Sequence, residues 1–177
     1  MKEFRNLIVL GPLIYALHHF EEHVIFNFRE WRLAYFADNN PISTEEVLIR
    51  LIALLLIFVF VHLIKNNRAS AHIVLFFLMT TQVVNAFFHI FFSLYFYDFS
   101  PGVITAVLLY LPINFLIIRS AFQEEFLRSY LELCLLFVAG ITTFALFELI
   151  GPEVIAYSVL ITPIYYIMMN RSELTKS

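Results

Sequence analysis

The sequence predicts an all-α integral membrane protein, a bundle of six short transmembrane helices with both termini in the cytoplasm. Hydrophobic residues make up 61% of the 177 residues, charged residues make up 14%, and the mean hydropathy is +0.83. A soluble domain is roughly 45–50% apolar and about 25% charged. Six apolar runs, each about the length of a bilayer crossing, use nearly the whole chain and leave one membrane domain, 1–177.

Short polar segments separate the six predicted spans. The first loop contains Asp38-Asn39-Asn40-Pro41 and ends with Ser43 and Glu46 at the spacing of a helix capping box. Gly151-Pro152 predicts a tight turn between the last two spans. The spans cover about residues 6–28, 47–64, 69–97, 101–119, 130–149 and 152–169.

The basic residues predict the orientation. Cytoplasmic loops of membrane proteins carry an excess of Lys and Arg. Six spans place eight basic residues on one side and three on the other, whereas five spans, the alternative count, spoil this sorting. The side with the excess, predicted to be cytoplasmic, holds Lys2, Arg5, Lys65, Arg68, Arg119, Arg128, Arg171 and Lys176, and the other side holds Arg29, Arg32 and Arg50.

Cysteine content and charge exclude several functional classes. Cys134 is the only cysteine, so an intramolecular disulfide framework and a multi-cysteine metal site are both excluded. The net charge of −3 comes without a basic block, which argues against a nucleic-acid partner. Membrane lipid and apolar small molecules remain as partners, and the oligomeric state is left open.

The first span carries five ionisable groups within six residues, His18-His19-Phe20-Glu21-Glu22-His23. A charge in the middle of a bilayer costs about 2.5–3.5 kcal/mol, so the carboxylates require a proton, a partner or a metal. His18 and Glu22 are four residues apart and share a helix face, with Glu21 beside them. His19 and His23 form a second pair, turned by about 100°. One helix therefore offers two pairs of possible ligands.

A polar stripe on the third span is predicted to face these groups inside the bundle. At about 1.5 Å per residue from the cytoplasmic end, His18 and Asn85 both lie about 20 Å deep, and Glu22 and His89 both lie near 27 Å. Glu148 in the fifth span reaches a similar level, at about 30 Å or slightly less. The stripe consists of Gln82, Asn85, His89 and Ser93.

These residue types predict a divalent metal site holding Zn, Fe or Mn. Imidazole nitrogen and carboxylate oxygen from separate helices are common ligands of these ions. The predicted reaction is hydrolysis or oxidation of a lipid-like substrate, in which Glu21 or Glu148 is a further ligand or the general base acting on metal-bound water. The predicted metal ligands are His18, Glu22, His89 and Glu148, and the predicted catalytic residues are Glu21, Glu22 and Asn85.

Three other interpretations of the cluster stay open. A carboxyl beside an imidazole is an acid–base pair that a metal-free isomerase could use. Chains of Glu and His inside membranes also carry protons or ions in transporters. A structural network of hydrogen bonds between helices is the third interpretation.

Two motifs give the sequence a family resemblance: His18-x-x-Glu21-Glu22 in the first span and Asn85-x-x-x-His89 in the third. With them the sequence resembles the HXXEE-domain family of prokaryotic membrane proteins over most of its length. The resemblance implies location in a prokaryotic cytoplasmic membrane, and it implies that the motif residues are the functional positions. It supplies no reaction.

Overall fold

The computed structural model describes residues 3–37 and 43–175, which are helical without a strand in those ranges. The predicted all-α fold is confirmed there. Lys2, Lys176 and the predicted loop residues Asp38-Asn39-Asn40-Pro41 lie outside the described residues. The helices are α1 (Glu3–Leu7), α2 (Leu10–Phe20, continued by a π-helical turn Glu21–Ile25), α3 (Phe28–Tyr35), α4 (Thr44–Lys65), α5 (Arg68–Phe96), α6 (Val103–Gln123), α7 (Tyr130–Ile150) and α8 (Glu153–Leu174).

Five helices in the described part of the chain, α4 to α8, are long and apolar enough to cross a membrane. They correspond to the second to sixth predicted spans. The first predicted span is instead divided: α1 ends at Leu7, and α2 with its π-helical turn covers only Leu10–Ile25. At no more than about 1.5 Å per residue this segment reaches about 24 Å, short of a hydrocarbon core of about 30 Å. Helix length alone therefore supports five spans, and the predicted count of six is not confirmed.

Local sequence signals begin and end these helices. The Ser43 hydroxyl accepts a hydrogen bond from the Glu46 backbone N–H at 3.2 Å, so the predicted cap of α4 is present. Asn66 has a left-handed backbone, with φ at 44°, where α4 ends. Asn67 then caps α5 by accepting from the Ser70 backbone N–H at 2.9 Å. Gly151, with φ at 106°, lets the chain turn from α7 into α8.

Polar contacts show which segments meet at each end of the bundle. At one end the Phe4 backbone N–H donates to Glu124 at 2.7 Å, and Arg68 contacts both Glu132 and Glu173. These contacts bring α1, the α4–α5 and α6–α7 turns, and the end of α8 together at one end of the bundle. Helix α3 and the 97–102 turn meet at the opposite end, where the Tyr35 hydroxyl donates to Asp98 at 2.8 Å. This hydrogen bond raises the pKa of the Tyr35 hydroxyl.

Helix α5 forms the centre of the bundle. The most apolar stretch of α5 is 56% buried, against 28% for α6, 22% for α4, 11% for α7 and 6% for α8. The hairpin of α7 and α8 therefore lies at the periphery and leaves most of its apolar surface outside. Buried polar side chains concentrate on α2 and α5, where the predicted clusters lie.

Candidate metal centre in the membrane

Three π-helical turns surround the polar centre: Glu21–Ile25 in α2, Met79–Val84 in α5 and Ala106–Tyr110 in α6. Such turns insert a residue into an α-helix and occur frequently at functional sites. In α2 the wider turn lets the adjacent residues Glu21 and Glu22 both point into the protein, where they are 3% and 2% exposed. An ordinary helix would turn neighbouring side chains about 100° apart.

The Glu22 carboxylate is the centre of the site. Its Oε1 lies 3.3 Å from His18 Nε2 and 3.0 Å from His89 Nε2. All three side chains are buried, with exposed fractions of 1% for His18, 2% for Glu22 and 0% for His89. The structure thus brings together the three residues that the sequence predicted as metal ligands from α2 and α5.

The other oxygen of Glu22 faces a second pair of imidazoles. His19 Nδ1 lies 2.9 Å from Glu22 Oε2, and His23 Nε2 lies 3.6 Å from the same atom. The His19 and His23 rings stack with centroids 5.5 Å apart and planes 12° apart. Both are only partly buried, so this pair lies nearer the surface of the bundle than His18 and His89.

Hydroxyl groups fix the orientation of the two buried imidazoles. The Thr105 hydroxyl donates to the Gly102 carbonyl at 3.2 Å, so its oxygen is left to accept from His18 Nδ1 at 2.8 Å. His89 Nδ1 lies 2.9 Å from the Ser100 hydroxyl. In the tautomer of neutral His18 that donates from Nδ1 to Thr105, the lone pair of Nε2 points at Glu22. Ser100 was missed at the sequence level, since only the fold brings the 97–102 turn against α5.

Glu21 caps helix α6. Its Oε1 accepts from the Gly102 and Ile104 backbone N–H groups at 3.1 Å each, and its Oε2 accepts from the Thr105 backbone N–H at 2.7 Å. A carboxylate at this position satisfies unpaired N–H groups of the first turn and interacts favourably with the helix dipole. Glu21 was predicted to be a ligand or a general base, but its geometry favours a structural role, because both of its oxygens are already engaged.

Gly102 provides the close approach of backbone to the site. Its φ is +98°, and a Cβ at this position would lie 2.8 Å from His18 Cε1, 2.9 Å from Glu22 Cγ and 3.0 Å from His89 Cε1. Only glycine fits here without strain. Pro101-Gly102 is a dipeptide typical of turns, but no sequence pattern indicates that this turn packs on His18, Glu22 and His89.

The two remaining predicted site residues lie outside both histidine groups. Glu148 on α7 forms an ion pair with Arg32 of α3 at 2.9 Å. Asn85 is half-buried one turn before His89, and its buried Oδ1 has no hydrogen-bond partner among the residues that the structure describes. Within the described residues, two groups bring ligand atoms within 4.8 Å of one another, His18–Glu22–His89 and His19–Glu22–His23, and Glu148 belongs to neither.

A cavity of about 160 Å³ opens beside the second imidazole pair. Its polar wall is formed by His19, Glu22, His23 and Asn85, and Arg32 and Glu148 also line it. The remaining surface is mainly apolar and aromatic, contributed by α4, α5, α7 and α8; its aromatic residues include Phe76, Phe77, Phe88, Phe144 and Phe147. Such a combination of apolar walls and a few polar groups is typical of small-molecule sites.

Helix α3 covers the site at its end of the bundle. The Phe28 ring lies 5.3 Å from the His89 ring, and Trp31 is only 8% exposed. Tyr35 stacks on Phe96 with ring centroids 4.0 Å apart. The aromatic side chains of α3 therefore separate the ligands from the space beyond this end of the bundle.

Comparison with known proteins assigns the family. A family model described as a protein of unknown function with HXXEE motif matches residues 9–117, more than half of the chain. The matched segment contains Glu22 and all four imidazoles that face it. No curated protein and no solved structure matches the chain significantly. The chain belongs to the HXXEE-motif family of proteins of unknown function.

Proposed function

We propose that this protein is a metal-dependent membrane enzyme, a hydrolase or an oxidoreductase, that acts on a lipid-like or other apolar substrate. The observation that carries the proposal is the convergence of His18 Nε2 and His89 Nε2 on one carboxylate oxygen of Glu22 in a fully buried position. Neither nitrogen has a hydrogen-bond partner of good geometry among the described residues.

The protonation pattern favours a cation at this point. When neutral His18 donates from Nδ1 to Thr105, a lone pair on Nε2 faces the negative carboxylate. Leaving a buried polar atom without a partner costs about 1–3 kcal/mol, and more for a charged group. A divalent ion bound by the two nitrogens and the oxygen removes this cost for all three groups, since lone pairs are what a metal requires.

The ligand types are compatible with Zn, Fe or Mn. Two imidazoles and one carboxylate form the usual protein ligand set of catalytic Zn sites and of mononuclear Fe(II) sites. Three protein ligands leave at least one position open for water or substrate. A bound ion would supply Lewis acidity and lower the pKa of a coordinated water. Thr105 and Ser100 would hold the imidazoles in place, as outer partners of metal ligands commonly do.

The adjacent cavity supports an apolar substrate. Its walls carry aromatic rings from α5 and α7, and Glu22 with His19 and His23 forms part of its polar lining. A molecule with a hydrophobic body could therefore lie against the Phe residues while its reactive group meets the metal centre. The cavity lies between helices that are apolar enough to be embedded in lipid, so an apolar molecule could enter it from the membrane.

We further propose that α2 is a sixth membrane segment and that both termini are cytoplasmic. The face of α2 away from the site exposes Leu13 by 56%, Leu17 by 45%, Phe20 by 52% and Val24 by 67%. This spacing of three and four residues makes one apolar stripe, which lipid would cover favourably. The contact between Phe4 and Glu124 supports the crossing, because it holds α1 at the end of the bundle opposite α3.

Cysteine labelling tests this topology. In a Cys134→Ser background, Glu3→Cys, Glu30→Cys and Glu125→Cys are treated in intact cells with a membrane-impermeant maleimide. Six spans predict that only Glu30→Cys is labelled before permeabilisation. Labelling of Glu3→Cys together with Glu30→Cys, with Glu125→Cys protected, would instead establish five spans.

Elemental analysis of the detergent-purified protein tests the metal centre. We expect at least one Zn, Fe or Mn per chain, with strong loss in His18→Ala and in His89→Ala. His62→Ala is the matched control, because His62 is equally buried but bonds to Ser70 at the opposite end of the bundle. A folded wild-type protein that stays metal-free after incubation with each of the three ions would overturn the proposal.

A further inference from the structure

The structure points to a second metal ion, and we infer that Glu22 bridges the two ions of a dinuclear centre. The second ligand set is His19 Nδ1, His23 Nε2 and Glu22 Oε2, whose ligand atoms all lie within 4.8 Å of one another. This inference rests on the proposed function, because the first ion is the one held by His18, His89 and Glu22 Oε1. It adds a site that the single-ion proposal does not require.

The inference is carried by the arrangement of the Glu22 carboxylate, whose two oxygens face two different pairs of imidazoles. Oε1 faces the His18 and His89 nitrogens, and Oε2 faces the His19 and His23 nitrogens. One carboxylate therefore separates two imidazole pairs instead of joining four imidazoles at one point. A carboxylate that binds one ion through each oxygen suits the separation of about 3.5–4 Å found in two-metal sites.

The second imidazole pair has the features of a ligand pair. His19 Nδ1 is buried and, within the described ranges 3–37 and 43–175, lacks a hydrogen-bond partner of good geometry, although it lies 2.9 Å from Glu22 Oε2. His19 and His23 are four residues apart on one helix, a spacing that places two imidazoles on one face and is used by zinc-binding helices. Their parallel rings, 5.5 Å apart, direct both toward the same oxygen.

The surroundings give the two ions different environments. His18 and His89 are sealed inside the bundle, whereas His19 and His23 line the aromatic cavity. The second ion would therefore be the one that meets the substrate, and the first would lie behind it. Asn85 lines the same cavity with an unpartnered Oδ1, which could accept a hydrogen bond from a water on the second ion.

Metal stoichiometry tests the inference. Protein saturated with Zn²⁺ and freed of loosely bound ions should hold two ions per chain. His19→Ala and His23→Ala should each hold one, Glu22→Gln should hold none, and His62→Ala should hold two. Protein loaded with Mn²⁺ should show the electron paramagnetic resonance spectrum of an exchange-coupled pair, and His23→Ala should show that of an isolated ion.

The outcomes separate this inference from the proposed function. One ion in both wild type and His23→Ala, with no exchange coupling, would refute the second site and leave the metal enzyme intact. A wild type that binds no ion would refute both. If His23→Ala fails to fold, as judged by size-exclusion chromatography, His23→Gln replaces it, and the wild-type spectrum alone still decides between one ion and two.

Discussion

Replacing Gly102 by alanine should disrupt the metal centre without removing a ligand. The new Cβ would lie 2.8 Å from His18 Cε1, 2.9 Å from Glu22 Cγ and 3.0 Å from His89 Cε1. A side chain at φ near +98° adds backbone strain of about 1–2 kcal/mol, and the forced shift of packed neighbours adds about 1–3 kcal/mol. We therefore expect destabilisation of about 2–5 kcal/mol in Gly102→Ala.

Thermal unfolding in detergent measures this effect. For a chain of this size the loss corresponds to a fall in Tm of about 4–20 °C. Metal content should fall with it, because the three displaced side chains are the proposed ligands of the buried ion.

Gly11→Ala is the matched control. Its Cβ would lie 3.0 Å from Leu78 Cδ2, the end of a flexible side chain, within a helix that favours alanine over glycine by about 1 kcal/mol. Its Tm should stay within about 3 °C of the wild type. If Gly102→Ala kept both the Tm and the metal content of the wild type, the close packing of the 97–102 turn on the ligands would be incorrect.

Three further variants separate the roles of the surrounding residues. Glu21→Gln should lose about 1–3 kcal/mol of stability, seen as a lower Tm, because one amide cannot accept all three backbone N–H groups, yet it should keep its metal; metal loss in a folded protein would restore Glu21 as a ligand. Thr105→Val should weaken metal affinity by about 10–100-fold in a competition titration with a chelator, because His18 loses its orienting partner; unchanged affinity would contradict the tautomer argument. Glu148→Gln should keep full metal content by elemental analysis, since Glu148 pairs with Arg32, and a loss would place it back among the ligands.

The sequence was sufficient to predict that three of the proposed site residues, His18, Glu22 and His89, lie together. His18, Glu22 and His89 stand out because ionisable groups are costly in apolar helices, and counting the rise along two helices placed them at one level. The structure brings these three together within 3.3 Å. Five of the six predicted spans also correspond to helices long enough to cross a membrane.

The roles of the neighbouring residues could not be predicted in this way. Glu21 and Glu22 are chemically identical and adjacent, and only the π-helical turn, which no residue pattern signals, directs one to α6 and the other to the imidazoles. The pairing of Glu148 with Arg32 depends on where α3 lies, and α3 is part of what the sequence predicted to be a loop. The break between α1 and α2 does have a signal, Gly11-Pro12, because a proline cannot donate to the carbonyl of residue i−4, but the prediction of one continuous span did not use it.

The peripheral hairpin of α7 and α8 bears on which molecules the cavity can accept. Every side chain that faces Glu22 belongs to the stretch 9–117 that the family model matches. Thr143, Phe144, Phe147 and Ser158 on α7 and α8 form one wall of the cavity and lie outside that stretch. Because none of the side chains that face Glu22 lies on α7 or α8, the inner faces of these helices can be altered while the Glu22 cluster is left untouched. Exchanging these wall residues for smaller or bulkier ones should therefore change which molecules fit the cavity, while the residues of the Glu22 cluster stay the same.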